Sequence, residues 1–130
     1  MRVEQRLREL GLILPDGSLA PPFGRVGADV TPEQATQSAR LTLLATLSSL
    51  QRAVGDLDRV VWLKVFGMVS STPDCTQQPS VINGCSDLIL ELYGPDTGQD
   101  ARSAVGLAAL PFNIPVEIEV EVGLLPARRR

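Results

Sequence analysis

From Thr31 to Gly55 apolar residues recur at steps of three and four, and Ala35, Ala39, Leu43, Leu47, Leu50 and Val54 fall on one helical stripe. Its start is well marked. Thr31 can cap, Pro32 suits the first helical position, and Gln34 completes the spacing of a capping box. Gly55 closes it. The period then changes. Between Arg59 and Val69 the set Val61, Leu63, Val65, Val69 interleaves with Val60, Trp62, Phe66, Met68, so this predicted strand is apolar on both faces. Lys64 interrupts the second set and reads as a snorkelling or ion-paired side chain. A polar loop from Ser70 to Gln78 leads to a second helix, Pro79 to Tyr93, with Val81, Ile82, Cys85, Leu88, Ile89 and Leu92 apolar and Gly94-Pro95 as its stop. After a loop from Asp96 to Asp100, the stretch Ala101 to Glu121 reads as two strands around a turn from Leu110-Pro111 to Pro115. The second strand alternates strictly, with Val116, Ile118, Val120 and Val122 on one face and Glu117, Glu119 and Glu121 on the other. The first begins with Arg102 and is hydrophobic enough for a central position, with a glutamate expected on its neighbour.

Upstream, Val3 to Leu10 predicts a short amphipathic helix with Leu7 and Leu10 on one side and Gly11 as its end. Asp16-Gly17-Ser18 is a turn, Pro21-Pro22 and Gly24 make the next stretch irregular, and Arg25-Val26 is a fragment of strand. The order helix, strand, helix, strand, strand implies an α+β domain with both main helices on one face of a sheet. At 130 residues the chain is one domain, with a short helix and irregular arm over 1–25, a core over 26–124 and a basic tail over 125–130. A strand apolar on both faces, with helices for only one, leaves a surface that self-association would cover.

Aromatic residues make up 4% of the chain, so the core must be aliphatic. A net charge of -3 argues against nucleic acid as a partner, and the one basic cluster, Arg128 to Arg130, reads as a solvated tail. No apolar run reaches membrane-spanning length, and Met1 to Arg6 lacks the apolar core of a signal peptide, so the expected location is cytoplasmic, without a membrane partner. The absence of histidine removes Ser/His and Cys/His nucleophilic schemes, histidine bases and most zinc sites. No metal or other cofactor is called for. Cys75 and Cys85 show no metal-ligand spacing and read as free, buried or half-buried thiols.

Arg102 stands out chemically, because a planar guanidinium can hold a carboxylate through two parallel hydrogen bonds. On the residues alone a structural salt bridge accounts for it better. Glu117 is likewise indistinguishable from Glu119 and Glu121, and three glutamates on one strand face usually make a solvated face.

Ala101-Arg102-Ser103-Ala104-Val105 with Leu110-Pro111, followed by Val116-Glu117-Ile118-Glu119, resembles the C-terminal signature of the Rid/YjgF family. The segments from Gln78 to Leu88 and from Val26 to Thr31 resemble its longer-tailed members, labelled endoribonuclease L-PSP. The resemblance implies a chorismate-mutase-like α+β fold and a homotrimer with clefts between subunits. It also implies hydrolysis of reactive enamines or imines of the 2-iminobutanoate and 2-iminopropanoate type. Arg102 would bind the carboxylate, Glu117 would direct water, and Asn83 would be a pocket residue. Ala104 stands where many members carry a cysteine, and its backbone would still meet substrate. The ligands would be small carboxylates, 2-oxo or 2-imino acids.

One departure qualifies this picture. Family members place a strand hairpin, with an aromatic pocket residue and a Ser-Gly-Gln motif, between segments matching Leu12-Ile13-Leu14-Pro15 and Asp16-Gly17-Ser18. Here Pro15 runs directly into Asp16 and no Ser-Gly-Gln occurs, so the hairpin is missing. The sheet edge it leaves would need Leu12 to Val26 or another chain to cover it. The alternative function is therefore a non-catalytic carboxylate-binding or assembly module. Ribonuclease activity is the weakest expectation, given the acidity and few aromatics.

Overall fold

Local chemistry at Thr31 starts the first helix, α1 (Pro32–Val54), in the computed structural model, which describes residues 21–127. The expected helix Val3 to Leu10, the Leu12 to Pro15 segment, the Asp16-Gly17-Ser18 turn and the Arg128 to Arg130 tail lie outside the described residues. The Thr31 hydroxyl accepts from the Gln34 N–H at 3.1 Å, and the Gln34 side chain accepts from the Thr31 N–H at 2.9 Å. This is the reciprocal arrangement the spacing predicted. Ala35, Ala39, Leu43 and Leu47 are buried as expected, joined by Leu44, while Leu50 is only half-buried.

After a 3-10 turn at Leu57–Arg59, strand β1 (Val60–Ser70) runs through the middle of the sheet. Helix α2 (Gln78–Gly98) crosses over to β2 (Ala101–Leu107), which is why β2 lies parallel to β1. A second 3-10 turn, Pro111–Asn113, leads to β3 (Val116–Leu124), antiparallel to β1 on its other side. The strand order is β2-β1-β3. The expected sequence of elements and the helices on one sheet face are thus present, but two strand expectations need correction. β1, not β2, is central, because it alone is long and apolar enough to be paired on both sides. β2 and β3 are not neighbours, since β1 lies between them.

The interleaved sets in β1 also break. A register shift between Trp62 and Lys64 inserts Leu63 as an extra residue and leaves it 52% exposed. Val60 and Trp62 therefore share the helix-facing side with Val65, Gly67 and Val69. Val61, Lys64, Phe66 and Met68 turn outward. On β3 the alternation holds as read: Ile118, Val120 and Val122 pack on the core and the glutamates face away.

Two glycines set how closely the layers approach. A Cβ on Gly84 would collide with the backbone carbonyl oxygen of Thr36, so α1 and α2 cross at backbone contact there. A Cβ on Gly67 would meet the Ile82 side chain, which lets α2 sit close on β1. Trp62 packs edge-on against Tyr93 with ring centroids 5.6 Å apart, and the Tyr93 hydroxyl donates to the Leu57 carbonyl at 2.9 Å. The second helix breaks at Gly94-Pro95, as expected. Gly94 leaves helical geometry, and a further turn carries the chain to Gly98. The Arg25-Val26 fragment is reduced to isolated bridges at Val26, to Val30 and to Ser71: the Val26 N–H donates to the Ser70 carbonyl, and the Thr72 N–H donates to that of Val26. Among the described residues no helix is long and apolar enough to cross a membrane.

Candidate functional site

Arg102 is the second residue of β2, and its pairing with Val65 places it on the side of the sheet that the helices cover. Asn83 and Ser86, three residues apart on α2, face the same direction there. The Arg102 Nη1 donates to Asn83 Oδ1 at 2.7 Å and to Ser86 Oγ at 3.2 Å. Both partners are neutral. The salt bridge that the residues alone favoured is not formed among the described residues, where Arg40 with Glu91 is the ion pair present. Both acceptors take the same terminal nitrogen, which leaves the guanidinium further N–H groups that could serve a ligand.

Arg102 borders a cleft of about 330 Å³, lined also by Ser86, Leu90, Gly98, Gln99 and Asp100. The kink at Gly94 and the extra turn to Gly98 return the chain over the strand start, which brings Asp100 into the cleft. Partial burial pushes the Asp100 carboxyl above its ordinary range, against the lowering influence of Arg102. Beneath the cleft, burial pushes the Cys85 thiol up to about 12; the charge of Asp100 adds to the shift and Arg102 opposes it. Cys85 is thus an inert, buried thiol, and Cys75 is free and half-buried, both as expected.

Of the predicted site residues, Arg102 and Asn83 come together directly. Ala104 follows two residues later on the same face, opposite Gly67. Glu117 does not join them. It pairs with Met68 on the outward face of β3, two strand spacings or roughly 10 Å across the sheet. Within one copy of the chain, the sheet itself separates Glu117 from the Arg102 cleft.

Ser86 and Asp100 were not singled out from sequence. Ser86 stands at the helical i+3 position from Asn83, and Asp100 stands one strand period before Arg102; both signals were present in the spacing. Among the described residues no three Cys, Asp or Glu side chains are grouped to hold a metal ion.

Residues 16–119 match the model of the family described as "YjgF/chorismate mutase-like, putative endoribonuclease". The chain belongs to this family. It is 46% identical over 104 residues to Protein TCP17 of Trypanosoma cruzi, an alignment covering 78% of this chain and 64% of that protein. The chain thus spans less than two thirds of the length of that relative. The crystal structure of a protein of unknown function from Agrobacterium tumefaciens superposes with a TM-score of 0.83 at 36% identity, over 94% of this chain and 91% of that one. A "putative endoribonuclease" from Shewanella oneidensis gives 0.82 at 24% identity, over 95% of this chain and 100% of that one, and shares the fold.

Proposed function

We propose that this chain is a hydrolase of the Rid type that binds a small 2-imino carboxylate at Arg102 and converts it to the 2-oxo acid and ammonia. The observation that carries the reading is a guanidinium with no ion-pair partner among the described residues, oriented by two neutral acceptors, at the border of a cleft. Its remaining N–H groups would take the substrate carboxylate through charge-assisted hydrogen bonds. Water then adds to the imine carbon, its oxygen becomes the new carbonyl oxygen, and the nitrogen leaves as ammonia. Asp100, which holds its proton more tightly than an ordinary carboxyl, is placed to hand a proton to the departing nitrogen.

Glu117 reaches such a site only from a second copy of the chain. The outward face of the sheet supports that assembly. Val61, Phe66 and Met68 on β1 and Val105 on β2 form an apolar centre that no described helix covers. In the proposed homotrimer these faces meet, and the glutamate of one protomer lies beside the arginine cleft of the next.

The test is ammonia release from 2-aminoacrylate generated in place. Acceleration over buffer should fall about 100-fold in Arg102→Ala, the scale of losing hydrogen bonds to a charged group. No acceleration by the wild-type protein would end the enzymatic reading. The placement of Glu117 away from Arg102 and the alanine at 104 favour a second reading, a module that binds 2-oxo acids without turnover. Calorimetry with 2-oxobutyrate separates the two, since that module would bind it while releasing no ammonia.

A further inference from the structure

β3 is an edge of the sheet: among the described residues β1 pairs with it on one side and no strand lies on the other. Two hydrogen bonds fix which of its backbone groups are left over. The Ser70 N–H donates to the Pro115 carbonyl at 2.9 Å, just before the strand, and the Leu125 N–H donates to the Arg59 carbonyl at 2.7 Å, just after it. Backbone groups alternate in direction along a strand, so the odd-numbered positions of β3 turn toward β1. The N–H and carbonyl groups of Ile118, Val120 and Val122 therefore point away from the sheet, an unfilled template for another strand.

The edge is nine residues long, and most of the devices that blunt such an edge are missing. β3 contains no proline or lysine, and the bulge lies on β1 rather than on the exposed strand. What it carries is glutamate at 117, 119 and 121, on the open face, with no ion-pair partner among the described residues. These side chains decide which strands are admitted. A second copy of β3 paired in full, antiparallel and with both apolar faces on the helix side, sets glutamate opposite glutamate, which is destabilising. A strand that alternates basic and apolar residues meets the opposite situation. Its basic side chains would stand beside the glutamates, and its apolar ones would extend the layer that the partly buried Ile118, Val120 and Val122 now end.

The ends of β3 suit the same occupant. Five of the seven exposed large apolar side chains among the described residues, Phe23, Leu63, Phe112, Leu124 and Leu125, lie at or beside them. At one end Leu63 lies against Gly123. At the other the Gly24 N–H donates to the Asn113 carbonyl at 2.8 Å, which sets the Phe23 segment beside the turn of Phe112, itself 83% exposed. We propose that the outer edge of β3 is a docking site for an extended segment of a partner protein, in which basic and apolar residues alternate, taken up as a fourth strand. Main-chain hydrogen bonds supply the affinity, and the glutamates supply the choice of sequence. The site is the edge of the strand and not its open face, so it depends neither on the imine chemistry nor on self-association.

The experiment mixes the full chain with a labelled peptide in which lysine and valine alternate over about eight residues, an ordinary strand length, and with a counterpart carrying glutamate for each lysine. Fluorescence anisotropy reads binding, and hydrogen exchange reads the amides of Ile118, Val120 and Val122. Those amides should exchange fast in the free protein and slow on saturable binding of the lysine peptide, with the glutamate peptide at least about tenfold weaker. Val120→Pro removes one outward N–H, a change that edge strands tolerate, and should abolish binding. If that variant fails to fold, Glu119→Lys combined with Glu121→Lys leaves the backbone intact and should reverse the preference between the two peptides. Arg102→Ala should bind the lysine peptide as the wild type does, so failure of the deaminase reading and failure of this one are separately visible. No saturable binding, equal binding of the two peptides, undiminished binding by Val120→Pro or an unchanged preference in the double variant would each overturn the proposal. So would amides already protected in the free protein, since the chain's own residues or a second copy would then fill the edge.

Discussion

The two faces of the sheet are made from the same three strands, yet one is filled and the other is open. On the helix-facing side Val65, Val69 and Trp62 are at most 1% exposed, and Gly67 admits Ile82 from α2. On the other side Phe66 and Met68 are only half-buried, Val105 is 38% exposed, and the glutamates of β3 flank them. The difference teaches that apolarity alone does not define this core. Which strand positions become core depends on where α1 and α2 land. The functional residues divide the same way, with Arg102 on the helix-facing side of the sheet against Asn83 of α2, and Glu117 on the open face.

The strongest way to break the filled side is Gly84→Ala. The added methyl meets the backbone of α1, which cannot rotate away, so the loss in urea denaturation should exceed about 3 kcal/mol, beyond ordinary overpacking. Leu44→Ala, which removes a side chain 1% exposed between the layers, should cost about 3 kcal/mol by the same measurement. A third test uses pH. The folded Cys85 thiol titrates near 12, above its ordinary 9.0, so folding favours the protonated form. Its contribution is fully present below pH 9 and is lost as pH rises toward 12. Cys85→Ala should therefore show a shallower fall of unfolding free energy across that window than wild type. An equal slope would mean that the thiol is not buried as described. The smallest effect on the protomer is expected from Val105→Glu on the open face. Its unfolding free energy should stay within about 0.5 kcal/mol, while sedimentation equilibrium should show a shift toward monomer. A variant that destabilises the fold without changing the mass would place Val105 in a core and contradict the contrast of faces.

Much of the fold was legible because its cues are local. Thr31, Pro32, Gln34 and Gly55 bound α1 within a residue or two, and the capping bonds form between groups three residues apart. The alternation of β3 was equally readable, since polar and apolar positions differ sharply there. β1 was not, because nearly every position but Lys64 is apolar on both faces and an inserted Leu63 leaves the pattern looking intact. At the candidate site, Arg102 and Asn83 were found through family resemblance rather than spacing. Their contact joins residues nineteen apart across a strand and a helix. Asp100 was passed over because Gly94-Pro95 reads as a clean stop, whereas the chain turns once more and carries the carboxyl back to the arginine.

What the amino-acid order decided by itself was the set of elements, the apolar stripes they carry and the chemical groups available: free thiols, no imidazole and a guanidinium opening β2. What only the tertiary structure decided was strand order, the face each side chain takes, and which charges meet. The reason is physical. Helix caps and alternation are settled among neighbours along the chain. The bulge at Leu63 and the separation of Arg102 from Glu117 arise from pairing between segments remote in sequence, each choosing its register to suit the layer packed against it.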